Sequence, residues 1–188
     1  MGDGEVDYGP LAGLIGTWQG DDGLDVAPEP NGTEESPYYE TIVFDAAGDA
    51  ENAESQTLAV VRYHQVVSRK SNGEVFHDQV GFWTWDAASR TLAHSIVIPR
   101  VVAVLAGGTF EGDPKAGEVV LEVAAKLGDP DWGILQSPFM RDNAKTLAFE
   151  YRATLRGDEL EYAETTHLEI YGRRFEHTDA NRLKRTSA

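Results

Sequence analysis

Cysteine is absent from all 188 residues. That removes disulfides, thiolate metal sites and cysteine nucleophiles. It also removes the cross-links many small secreted domains depend on, which is compatible with a reducing compartment, and the localisation expected is cytoplasmic. The opening "MGDGEVDYGPLAGLIG" has no basic region ahead of a long apolar run, so no signal peptide is expected. No apolar stretch approaches the length of a membrane span, and no membrane partner is expected. Cations are scarce, with 16 Lys and Arg against 32 Asp and Glu, a formal net charge of −16. Such a surface repels phosphate backbones, so nucleic acid is not an expected partner; its plain use is solubility. There is no G-x-S-x-G stretch for serine hydrolase chemistry, and no carboxylate pair stands out for glycoside hydrolysis. "VLAGG" (104–108) lacks the strand–loop–helix setting of a phosphate cradle, so Gly107 and Gly108 read as a bulge or kink in a wall. No residue is assigned a catalytic role.

What is present is alternation. Apolar and polar residues alternate through ten segments punctuated by glycine, proline, asparagine and aspartate. They are 15–20, 38–44, 57–67, 75–85, 91–98, 101–110, 117–127, 145–155, 158–170 and a last one near 172–185. Short connections such as "SNGE" (71–74), "RGDE" (156–159) and "YG" (171–172) suit hairpins. Helical periodicity is nearly missing: "YGPLAGLIG" (8–16) can make one short helix with Pro10 in its first turn, and 129–143 a loop or one helical turn. The chain therefore reads as one all-β domain, 1–188, a ten-stranded antiparallel up-and-down barrel with a short N-terminal helix. A barrel of ten strands leaves room for a small-molecule ligand. Residues 1–10 read as a tail. The insert 21–37, rich in glycine, proline and acids, reads as a loop over the rim.

Period two assigns faces. In 158–170 the more apolar set is Leu160, Tyr162, Glu164, Thr166, Leu168 and Ile170, which places Glu164 and Thr166 inside. In the last segment Arg174, Glu176, Thr178, Arg182 and Lys184 are solvent-like, so Phe175, His177 and Asp179 face inward. His77 and Gln79 share a face in 75–85, where both faces are compatible with burial. An interior histidine is costly unless bonded. Parity leaves two readings for His177: a core histidine bonded to Glu164 or Asp179, or a ligand to a metal or haem iron. Acid–base work with Asp179 is a third, although the two lie about 7 Å apart along the strand. A three-histidine zinc site would need His64, His94 or His167 to converge with His77 and His177. The cluster Arg173, Arg174, Arg182, Lys184 and Arg185 reads as an anion holder or a solvated strand face.

Three stretches, in order, resemble the nitrobindins, haem-binding barrels related in architecture to lipocalins and fatty-acid-binding proteins. "LIGTWQGDDG" (14–23) is similar to their opening G-x-W-x-G-x-G, "FHDQVGFW" (76–83) to their H-x-E-x-G-[YF] strand, and 157–185 to their closing segment with its late histidine. The resemblance implies a ten-stranded barrel that binds ferric haem b, reacts with nitric oxide and isomerises peroxynitrite to nitrate. It places His177 as the proximal iron ligand and His77 on the distal side beside Phe76. Gln79, Thr166, Glu164, Phe175 and Trp18 complete the expected cofactor-binding set. The chain departs from the family pattern at four places, one being Asp21 where a small residue commonly follows the second glycine. No Pro-Thr-Ile segment follows the first motif, Gln79 replaces a glutamate, and Glu164 and Thr166 stand where apolar residues are usual. The alternative reading is a lipocalin-like carrier of a small polar or amphipathic ligand without haem, in which Trp83, Trp18 and Phe175 line or plug the cavity. The oligomeric state is not set by the sequence; a homodimer is compatible with it.

Overall fold

The computed structural model describes residues 6–187. Of the expected tail, residues 1–5 lie outside the described part. A 3₁₀ helix, Gly9–Leu14, carries Pro10 in its first turn. Eleven strands follow: β1 Gly16–Glu29, β2 Gly32–Asn52, β3 Gln56–Arg69, β4 Val75–Asp86, β5 Thr91–Ile98, β6 Val102–Thr109, β7 Val119–Lys126, β8 Ile134–Gln136, β9 Ala144–Arg156, β10 Glu159–Ile170 and β11 Arg173–Ser187. One short helix, α1 Pro138–Asn143, joins β8 to β9 and is capped by the Ser137 hydroxyl, which accepts from the Met140 amide.

Neighbours in sequence pair antiparallel from β1 to β6, β7 pairs with β9, and β9, β10 and β11 continue the meander. β11 then returns to β1. Ten strands so close the ring, and three-residue β8 is an extra strand on β6. Closure leaves the ring without a free edge. The weakest seam is β6–β7, joined at the single pair Gly107–Ala124. The β7–β8 connection covers it: Leu105 donates its amide to Gly133 O at 2.9 Å, and Lys126 to Trp132 O at 3.0 Å. A Cβ on Gly107 would overlap the Trp132 ring, and one on Gly108 the Glu122 carbonyl. Both glycines serve close approach at a bend.

The segment 21–37, expected as a rim loop, is instead the far half of the β1–β2 hairpin. Its ladder runs Leu24–Pro37, Asp25–Ser36, Val26–Glu35, Ala27–Glu34 and Pro28–Thr33. Proline and acids are tolerated because β1 pairs with β11 only as far as Val26–Thr178. Beyond that point Pro28 sits on an edge, where a missing N–H breaks no second ladder. A register shift between Gly20 and Gly23 absorbs Asp21 and Asp22.

The core fills the lower barrel. Along β3, Ala59, Val61, Tyr63, Gln65 and Val67 face inward and are buried. The 3₁₀ helix plugs the base with Leu11 and Leu14 beside Trp18, Trp85 and Phe110. Trp18 is fully buried and donates its indole N–H to Leu14 O at 2.6 Å. The Arg185 guanidinium lies 4.3 Å from the Trp18 ring centre and donates to Gly13 O at 2.8 Å and to Ile15 O. Arg173 donates to Glu29 O and Gly32 O across the β1–β2 turn. Two members of the basic cluster are therefore clamps at opposite ends of the barrel. Among the described residues no helix is long and apolar enough to cross a membrane.

Candidate functional site

A cavity of about 350 Å³ occupies the upper barrel, a volume typical of small-molecule sites. Its wall includes His177 and Asp179 of β11, Asp25 of β1, Glu164 and Thr166 of β10, and Phe76, His77 and Gln79 of β4. Ile96, Val102, Val104, Phe149 and Leu168 supply apolar surface. Arg69 and Arg100 line its upper end, near the β3–β4 and β5–β6 turns. Arg69 also lies 4.6 Å over the Phe76 ring and pairs with Glu34 at 3.1 Å.

On one wall three carboxyl groups stand side by side. Asp25 is the direct cross-strand partner of Asp179, and Asp179 of Glu164. Period two turns all three into the cavity. One rung closer to the mouth, His177 Nε2 lies 2.6 Å from Asp25 Oδ1 and 3.5 Å from Asp179 Oδ2. Burial pushes the His177 imidazole down, but Asp25 and Asp179 more than offset it, so its proton is held above the usual range. Burial and then Glu164 drive the Asp179 carboxyl well up, and Asp25 adds to the rise. Burial, followed by Glu40, raises Glu164 to about 8. Glu164 has no hydrogen-bonding partner among the described residues.

The facing wall is set by hydrogen bonds with a defined direction. Tyr63 OH donates to Ser95 O at 3.3 Å, and Gln79 Nε2 donates to Tyr63 OH at 2.8 Å. That leaves Gln79 Oε1 as acceptor for His77 Nε2–H at 3.1 Å. The ring is thus held as its Nε2–H tautomer with Nδ1 unprotonated. Burial keeps it neutral by lowering its pKa. Below the cavity, Glu40 accepts from Gln65 at 2.6 Å, Asn181 at 2.7 Å and Tyr162 at 3.0 Å. Burial raises it to about 7 against the opposing pull of these donors.

Of the residues singled out in the sequence, the structure brings together His177, His77, Phe76, Gln79, Thr166 and Glu164 in one cavity. Two do not join them. Trp18 packs the base under Arg185, and the Phe175 ring sits 5.2 Å from the Arg173 guanidinium, outside the cavity wall. Both face inward by parity, but Trp18 stands below the space and Phe175, although its cross-strand partner Leu168 lines the wall, is not part of the lining. The histidines do not converge on a zinc site. His64 is exposed beside Asp78, His167 faces outward to Glu150 and Glu176, and His94 is buried alone against Trp83. His177 bonds chiefly to Asp25, which sequence reasoning missed. Asp179 is far nearer than the strand rise suggested, because side chains two apart on one face lean together.

A haem bound in this cavity would need an imidazole aimed into it, apolar walls and cationic groups at the opening. The residues fit in kind: His177 offers the imidazole, and His77 stands across the ring from it, with β1, β2 and β3 between their strands on one side. The fit has one condition. Asp25 holds His177 Nε2, so that bond and an iron bond at the same nitrogen exclude one another.

The crystal structure of Rv2717c from M. tuberculosis has the same fold, with a TM-score of 0.68, 19% identity and 94% of each chain covered. No curated protein matches this chain in sequence. The family model described as "THAP4-like, heme-binding beta-barrel domain" matches residues 7–185. Nearly the whole barrel, from the 3₁₀ helix to the clamp at Arg185, falls within that match, and the chain belongs to the THAP4-like haem-binding β-barrel family, that of the nitrobindins.

Proposed function

We propose that this protein binds haem b in the upper cavity, held through His177 with His77 on the facing wall, and that it acts on nitric oxide and peroxynitrite. The observation that supports the reading is the placement of two imidazoles across one internal cavity in a chain of this family. When bound, haem supplies an iron with a coordination position left open for a small ligand. The chain's own residues do the rest. Asp25 would have to give up its bond to His177 Nε2 for that nitrogen to reach iron. Gln79 fixes the His77 tautomer, so that ring meets an incoming ligand as a neutral group of known polarity. Phe76, Ile96 and Leu168 exclude water. Arg69 and Arg100 suit the carboxylates of the porphyrin edge.

The test is a hemin titration followed at the Soret band, wild type beside His177→Ala. A saturable, stoichiometric band that requires His177 supports the reading, and stopped-flow decay of peroxynitrite then tests the reaction. Unchanged haem binding in the variant rejects His177 as the ligand. A second reading, carriage of a polar ligand without haem, is favoured by the three carboxyl groups of Asp25, Asp179 and Glu164 on one wall. It is tested by tryptophan quenching with non-haem compounds, and it loses if a ligand screen returns only metalloporphyrins.

A further inference from the structure

We infer that Asp25, His177 and Asp179 form a binding site for a divalent transition-metal ion of the zinc class, independent of any porphyrin. One ligand atom from each residue lies within 4.8 Å of the others, close enough to converge on one ion. An imidazole with two carboxylates suits Zn²⁺ or Co²⁺ better than Mg²⁺ or Ca²⁺, which take oxygen ligands. The three groups are held by the barrel wall, since Asp25 and Asp179 are direct cross-strand partners and His177 lies two residues along β11. Asp25 is nearly fully buried, so little ordering remains to be done on binding.

The site also has a chemical reason to accept a cation. Two carboxyl groups and an imidazole are packed together, with a third carboxyl group, Glu164, beside Asp179 on the next strand. Without an ion, carboxyl groups set side by side on adjacent strands limit their repulsion only by holding protons. A metal ion replaces those protons with one compact charge. Three protein ligands leave a fourth tetrahedral position, and the cavity lies on that side. This goes beyond the haem reading and competes with it, because His177 Nε2 can serve only one metal.

Co²⁺ alone is titrated into the haem-free protein with excess Mg²⁺ and moderate salt, which screens the acidic surface. One equivalent with visible bands of a tetrahedral ion, displaced by Zn²⁺, is expected. Asp25→Asn and Asp179→Asn should each weaken it about tenfold or more, while Glu122→Gln on the outer wall leaves it unchanged. No saturable binding, or binding that survives both aspartate changes, overturns the site. Hemin titrations of the same variants separate the two readings. A Soret band retained in Asp25→Asn with Co²⁺ lost supports both; Co²⁺ bound with no Soret band in wild type leaves the metal site standing and removes haem. Should the variants fail to fold, imidazole NMR of the wild type decides. Zn²⁺ shifting His177 but not exposed His64 supports the site, and an unmoved His177 overturns it.

Discussion

His94 lies flat on Trp83, ring centres 4.0 Å apart and planes 10° apart, and neither of its ring nitrogens has a hydrogen-bond partner among the described residues. Tyr63 and Tyr151 complete the aromatic box around it. An unsatisfied buried N–H costs roughly 1–3 kcal/mol. His94→Phe keeps a flat ring and removes both orphaned atoms. It is expected to raise stability by about 1 kcal/mol in denaturant unfolding, some of the gain being lost to the larger ring. A clear loss of stability would mean that His94 has a partner in solution.

The same burial predicts how stability depends on pH. It lowers the His94 pKa to about 3 from the usual 6.5, and that of His77 in the same direction. Below 6.5 the unfolded chain binds protons these rings refuse, so both contributions are lost as pH falls. Glu164 and Glu40, raised to about 8 and about 7, act oppositely: the folded state keeps protons the unfolded chain has released, and stability falls as pH rises from 4.5. His177 adds to that fall above 6.5. Melting temperature should therefore peak between about pH 4.5 and 6.5. Glu164→Gln should flatten the alkaline limb and His94→Phe the acid limb.

Asp25→Asn removes the charge that holds His177 Nε2. A hydrogen bond to a charged group contributes about 1.5–3 kcal/mol. Hemin affinity at neutral pH is therefore expected to rise about tenfold, read from the Soret titration. Weaker hemin binding would show that Asp25 supports the ligand rather than competing for it.

Gly107→Ala places a methyl group against the Trp132 ring at the thinnest seam of the barrel. Overpacking of this kind costs roughly 1–3 kcal/mol. A shift in tryptophan fluorescence should accompany the loss, because Trp132 must move to admit the methyl. Gly117→Ala, which meets nothing within 4 Å, serves as the control and should change neither.

Arg185→Ala should cost more than Arg182→Ala although both belong to one basic cluster. Arg185 is 17% exposed at its side chain, stacks on Trp18 and bonds backbone carbonyls of the base, whereas Arg182 is 59% exposed and meets Glu161 at 3.6 Å. The expected losses in urea unfolding are roughly 2 kcal/mol for the first and under about 0.5 for the second.

Alternation made most of the barrel legible, because a sheet with one buried face must repeat with period two. It located β10 and β11, turned Glu164, Thr166 and His177 inward, and marked Gly107 and Gly108 as a bend. It did not give height along the barrel axis. Parity alone therefore sends Trp18, which lies beneath the cavity, and Phe175, which is not in its lining, to the same inner face. Composition misled where structure overrode it: the prolines and acids of 21–37 suggested a loop, and Asp25, the closest partner of His177, was hidden in it. Glu40 carried a readable signal, a lone acid between Tyr38 and Ile42 on an otherwise apolar face. His94 carried none, since its isolation depends on which rings surround it in space.

Closure of the ring by β11 against β1 also sets an order of events. The barrel's last strand in synthesis lies between its first and its tenth, and it brings His177 with it. The Asp25–His177 contact spans 152 positions of chain. Such long-range closure is slow and leaves strand edges open meanwhile. The cavity wall is therefore incomplete until this strand docks, and until then the unpaired edge of β1 is open to the wrong partner.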